Sequence, residues 1–144
     1  MTFDPNNPVV TLCAAGMQVE GEPEKARALF QQAWELRQDD FDASVAAHYL
    51  ARHQPSAEEA LRWNALALQH ADTLSDSRVA ALLPSLCLNF GDSLLAVGRV
   101  SDARAAFARG SAVVAGLPEG GYADLVRGGM TRLGERVTAA EAAL

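Results

Sequence analysis

Phe90-Gly91-Asp92-Ser93-Leu94-Leu95-Ala96-Val97-Gly98-Arg99-Val100-Ser101-Asp102-Ala103-Arg104-Ala105-Ala106-Phe107 is the stretch that decides the fold. Apolar residues recur at helical spacing on both sides of Gly98. A glycine between two such patterns marks a tight turn. Ser101, just beyond it, is suited to cap a new helix. The segment therefore reads as the end of one helix, a turn, and the start of a second helix folded back on the first.

The same punctuation occurs twice upstream. Ala103-x3-Phe107-x2-Gly110 is matched by Ala26-x3-Phe30-x2-Ala33 and by Ala60-x3-Asn64-x2-Ala67. Ala26 and Ala60 are 34 residues apart and Ala60 and Ala103 are 43 apart, so about nine residues are inserted between the second and third units. Each signature lies in the second helix of a pair, starting at Glu22-Pro23-Glu24, at Pro55-Ser56-Ala57-Glu58-Glu59 and at Ser101-Asp102. Ser56 followed by Glu59 has the form of a capping box. The first helices are expected at about 8–20, 41–53 and 77–97. Pro84, inside the third of these, is expected to kink or split it. A lone hairpin cannot bury both its faces, so the units must stack.

Composition agrees with an all-α chain. The protein has 144 residues, 49% of them hydrophobic and 21% charged, enough to form a core without disulfides or metals. Alanine is frequent and β-branched residues are few, which favours helix. A net charge of −6, with eleven arginines and the single Lys25 spread along the chain, argues against nucleic acid as a partner. The polar, Pro/Asn-rich start differs from a signal peptide. No apolar run is read as approaching the roughly 20 residues of a membrane span. A cytoplasmic protein with no membrane partner is expected, its Cys13 and Cys87 reduced and buried.

Beyond the third unit, Tyr122, Leu125, Val126, Met130, Leu133 and Val137 recur at helical spacing. They predict a capping helix over about 121–140. Gly128, Gly129 and Gly134 should weaken it by about 1 kcal/mol each relative to alanine. The Gly116–Gly121 loop before it is the expected hinge.

The three signatures resemble the tetratricopeptide repeat family. Phe90-Gly91, Leu94, Gly98, Ala103 and Phe107 fall on that family's consensus positions, as do Cys13-Ala14, Met17, Gly21, Ala26, Phe30 and Ala33. The middle unit departs from the pattern, with His48 and Asn64 where small and large apolar residues are usual. His48-Tyr49-Leu50-Ala51-Arg52, Arg62-Trp63-Asn64 and Pro84 to Gly91 also resemble a group of short bacterial proteins of this repeat class. The resemblance implies a single domain over 1–144, with hairpins at about 8–40, 41–74 and 75–116 stacked in a right-handed superhelix and closed by the capping helix. It also implies a concave groove lined by the first helices, with Tyr49, Arg52, His53, Ser85, Asn89 and Asp92 among its residues. An arginine fork beside amide and phenol groups suits a carboxylate or a peptide backbone. The plainer reading is an Arg52–Asp92 pair within a structural network.

The expected function is thus non-catalytic: a protein or peptide partner, or a helix, held in the groove. A small-molecule sensor using a cavity near His48, Tyr49 and Asn64 is the alternative, and homodimerisation through an end face is a further expectation. His48 and Asn64 are expected to be buried and to hydrogen-bond each other, since unsatisfied buried polar groups are costly. No metal or other cofactor is expected: His48 and His53 lie about 140° apart on a helix and cannot chelate together. Ser85, His53 and Asp92 could be assembled on paper into a triad, but no nucleophile elbow or oxyanion loop accompanies them.

Overall fold

The computed structural model describes residues 4–144. Among them are seven α-helices and no strand: α1 Pro8–Gln18, α2 Pro23–Glu35, α3 Asp40–Leu50, α4 Ala57–Ala71, α5 Ser77–Ala96, α6 Val100–Val114 and α7 Gly121–Ala142. A 3₁₀ turn, Ala51–His53, prolongs α3. The chain is all-α, with helix pairs where the signatures predict them. It divides into two compact units, one ending at Ser75 and the other spanning Asp76–Leu144.

Local chemistry explains the helix boundaries. Asn7, Asp39, Ser56 and Asp76 each accept a bond from a backbone amide in the first turn of the helix they precede, which satisfies donors that have no intrahelical partner. Ser56 takes the amide of Glu59 at 3.2 Å, the bond a capping box requires. Pro23 opens α2, where its missing N–H costs nothing. At the end of α5, Gly98 has φ +82°. The amides of Gly98 and Arg99 return to the carbonyls of Leu95 and Leu94, as in a Schellman turn. Ser101 is not a cap: α6 starts one residue earlier, behind Arg99, and no side chain caps it.

In the N-terminal unit α1 packs on α2 and α3 on α4, while α3 also rests on α1 and α2. Residues 41–48 of α3 are buried without a break. The polar members of that run are tied down. The Asp42 carboxylate accepts from the Asn7 side chain at 2.8 Å and from the Gln38 amide at 3.0 Å. Ser44 Oγ donates to the Ala67 carbonyl of α4 at 2.9 Å. Ala26, Phe30, Ala33 and Ala67 are fully buried, so the repeat signature marks packing positions.

In the C-terminal unit α5 packs on α6, and α7 covers both. Two of the glycines expected to weaken α7 are contact points. A Cβ on Gly129 would lie 2.6 Å from Leu88 Cδ2, and one on Gly134 would lie 2.7 Å from the Phe107 ring. Both would violate contact distance, so these glycines let α7 seat on its neighbours. Pro84 does not split α5, which runs unbroken through it. This helix also corrects the hydropathy reading. It has 20 residues with a mean hydropathy of 1.5 in its most apolar window, long and apolar enough to cross a membrane by length and composition. Its packing on α6 and α7 is equally that of a core helix.

Candidate functional site

The residues expected to line a groove fall in both units, and each unit gives its share distinct local partners. In the N-terminal unit, Tyr49, Arg52 and His53 sit at the end of α3 and in the turn that prolongs it. Glu20, just past α1, joins two of them: its carboxylate lies 3.2 Å from Arg52 Nη2 and 2.9 Å from His53 Nε2. Below this carboxylate the buried Phe30 ring stacks with Tyr49 at 5.3 Å and with His53 at 5.6 Å. The Arg52 guanidinium lies 5.9 Å from the Tyr49 ring centroid, within cation–π range. The result is a half-exposed arginine held between a carboxylate and a phenol ring.

In the C-terminal unit, Ser85, Asn89 and Asp92 lie on α5. Ser85 Oγ is 2.6 Å from the Tyr122 hydroxyl, which itself donates to the Ala81 carbonyl at 2.8 Å. Asp92 is bonded to Arg136 of α7. Next to that pair, α5 and α7 leave an open cleft of about 520 Å³ lined by Leu88, Asp92, Gly129, Arg132, Glu135 and Arg136. Leu88 and Gly129 form its apolar floor, and the charged side chains form its rim.

Within its own unit, Arg52 pairs with Glu20 and Asp92 with Arg136. The three members of the paper triad are likewise engaged separately: Ser85 with Tyr122, His53 with Glu20, and Asp92 with Arg136. Glu20, Tyr122, Arg132 and Arg136 are residues that sequence reasoning did not select. The first two carry a signal only in hindsight, as a carboxylate at a helix end and as a tyrosine opening a capping helix.

His48 and Asn64 are both buried. Among the described residues no buried side-chain nitrogen or oxygen lacks a hydrogen-bond partner. The His48 ring meets Tyr49 edge-on at 4.9 Å. Burial, with a smaller contribution from the Arg52 charge, pushes the imidazole pKa down to about 4, so it is neutral at physiological pH. Burial, aided by the nearby Asp42 charge, pushes the Cys13 thiol up to about 12, which leaves it protonated and unreactive. Cys87 is also free and buried. Among the described residues no group of three or more His, Cys, Asp and Glu side chains could hold a metal ion.

Comparison with protein-family models, with curated proteins and with solved structures returns no match for this chain.

Proposed function

We propose that the chain is a non-catalytic interaction module of tetratricopeptide type that binds a peptide or helix along the faces of its first helices. The observation that carries the reading is the cleft between α5 and α7. It lies on the α5 face expected to be concave, has an apolar floor and a charged rim, and is open enough to admit a chain segment. Such a combination of apolar contact and a few placed polar groups is typical of binding sites. Arg52, half exposed over the Tyr49 ring, offers the same kind of contact in the N-terminal unit.

Selection of a displayed random-peptide library on the immobilised protein tests this reading. Enrichment of related sequences is expected, with binding weakened in Arg52→Ala or Asn89→Ala variants whose circular dichroism is unchanged. No enrichment, or binding indifferent to every exposed first-helix and α7 substitution, overturns it.

A further inference from the structure

We infer that the α5–α7 cleft grips an acidic side chain of its peptide partner through Arg132, with Arg136 as a second cation held in reserve by Asp92. The inference rests on the interaction-module reading and names the chemistry of its site. Arg132 and Arg136 are four residues apart on α7, hence neighbours on one helix face, and both line the cleft. Their states differ. Arg136 is bonded to Asp92 of α5, whereas among the described residues Arg132 forms no ion pair or hydrogen bond. A cleft with an uncommitted guanidinium over an apolar floor suits a carboxylate carried beside an aliphatic side chain. The aliphatic group would rest on Leu88, and the carboxylate would accept the paired N–H groups that make arginine the usual carboxylate receptor.

Asp92 then acts as an internal competitor. Its carboxylate occupies on Arg136 the place that a partner carboxylate would take, as a side chain of the same protein can do at high effective concentration. Glu135 is exposed on the rim, where water and salt screen its repulsion. The distribution of charge also favours this unit for an acidic partner. Residues 76–144 hold seven acidic and seven basic side chains, whereas residues 1–75 hold eleven acidic against five basic. An acidic segment meets no net repulsion in the C-terminal unit and a substantial one in the N-terminal unit.

The same library selection, run on the full chain, tests the assignment. The expected peptides carry Asp or Glu at a fixed position next to an aliphatic residue, and their affinity falls as salt is raised. Arg132→Ala should weaken them about two- to fivefold, the scale of a lost exposed ion pair. Asp92→Asn, which frees Arg136, should tighten them several-fold. Selection on Arg132→Glu should shift the enriched position to Lys or Arg. Arg132 is exposed, so these changes leave the thermal melt in place as a folding control. Enriched peptides without a fixed acidic residue, or acidic peptides indifferent to Arg132 and weakened by Asp92→Asn, overturn the assignment. If such peptides lose binding in Arg52→Ala instead, the interaction module stands and this site falls. If no peptide is enriched, both fall together.

Discussion

The Tyr122 hydroxyl donates to the carbonyl of Ala81 and receives the hydroxyl of Ser85, at 2.8 and 2.6 Å, and so ties the first turn of α7 to α5 on either side of Pro84. A tyrosine has one proton to give, so the bond to a carbonyl fixes Ser85 as donor in the other. Proline removes one ladder bond from the helix at this point. The phenol adds two bonds within a residue or so of the loss.

Tyr122→Phe removes both bonds and keeps the ring in its apolar cluster with Val114, Leu117, Ala123 and Val126. The expected cost is about 1–2 kcal/mol, because the bonds are only partly buried. Urea denaturation compared with Ser85→Ala tests it. If the tyrosine orients the serine, the serine change costs less, and the double variant costs less than the two single changes added together.

The glycines of α7 should sort by what faces them. Gly134→Ala drives a methyl into the Phe107 ring and should destabilise by about 1–3 kcal/mol. Gly129→Ala meets the terminal methyl of Leu88, which can turn into the adjoining cleft, and should cost less, about 0–1 kcal/mol. Gly128→Ala meets only the flexible end of Arg132, at 3.4 Å, and should stabilise the helix by up to about 1 kcal/mol. Thermal melts of the three variants check the signs. A uniform gain across all three would mean that α7 does not seat on α5 and α6 through its glycines.

These contrasts mark how far the sequence could be read. Helix starts and stops were legible where the signal is local: Ser56 with the Glu59 amide three residues on, or Gly98 in its left-handed turn. Even there Arg99, with no capping side chain, displaced Ser101 as the boundary of α6. The candidate site was legible only by halves. Arg52 and Asp92 are read from the sequence, but their partners are not, since Asp92 meets Arg136 across 44 positions and Arg52 meets Glu20 across 32 (52 − 20). Such pairs are set by how helices dock and not by any spacing within one helix. Gly129 and Gly134 of α7, though not Gly128, are misread for the same reason. Propensity counts the missing methyl as a loss, and only the neighbouring helix shows that the space is filled.

The thiols offer a test of burial. Cys13, with its pKa near 12, is essentially all thiol at pH 8, and Cys87 is fully buried. Both should react with a disulfide reagent only after unfolding, at rates that track the opening of the fold. In guanidinium the reagent should count two thiols. Fast modification of either in native buffer would contradict the packing of α1 or α5.

His48 should make stability fall in mild acid. Its pKa is about 4 in the folded chain, against 6.5 when unperturbed. Between these values the unfolded chain binds a proton that the folded one excludes, so stability rises with pH across the window. The contribution is fully present above pH 6.5 and is lost progressively as pH drops towards 4. At pH 5 the loss relative to neutral pH is about 2 kcal/mol from this residue, by linkage. Urea denaturation at pH 7.5 and 5.0 measures it directly. His48→Asn has no proton to gain and should lose correspondingly less on acidification, although its stability at pH 7.5 starts lower because a smaller side chain leaves a void beside Tyr49. Equal acid sensitivity in both proteins would mean that the His48 imidazole is solvated in the folded chain, and that carboxylates elsewhere govern the acid limb.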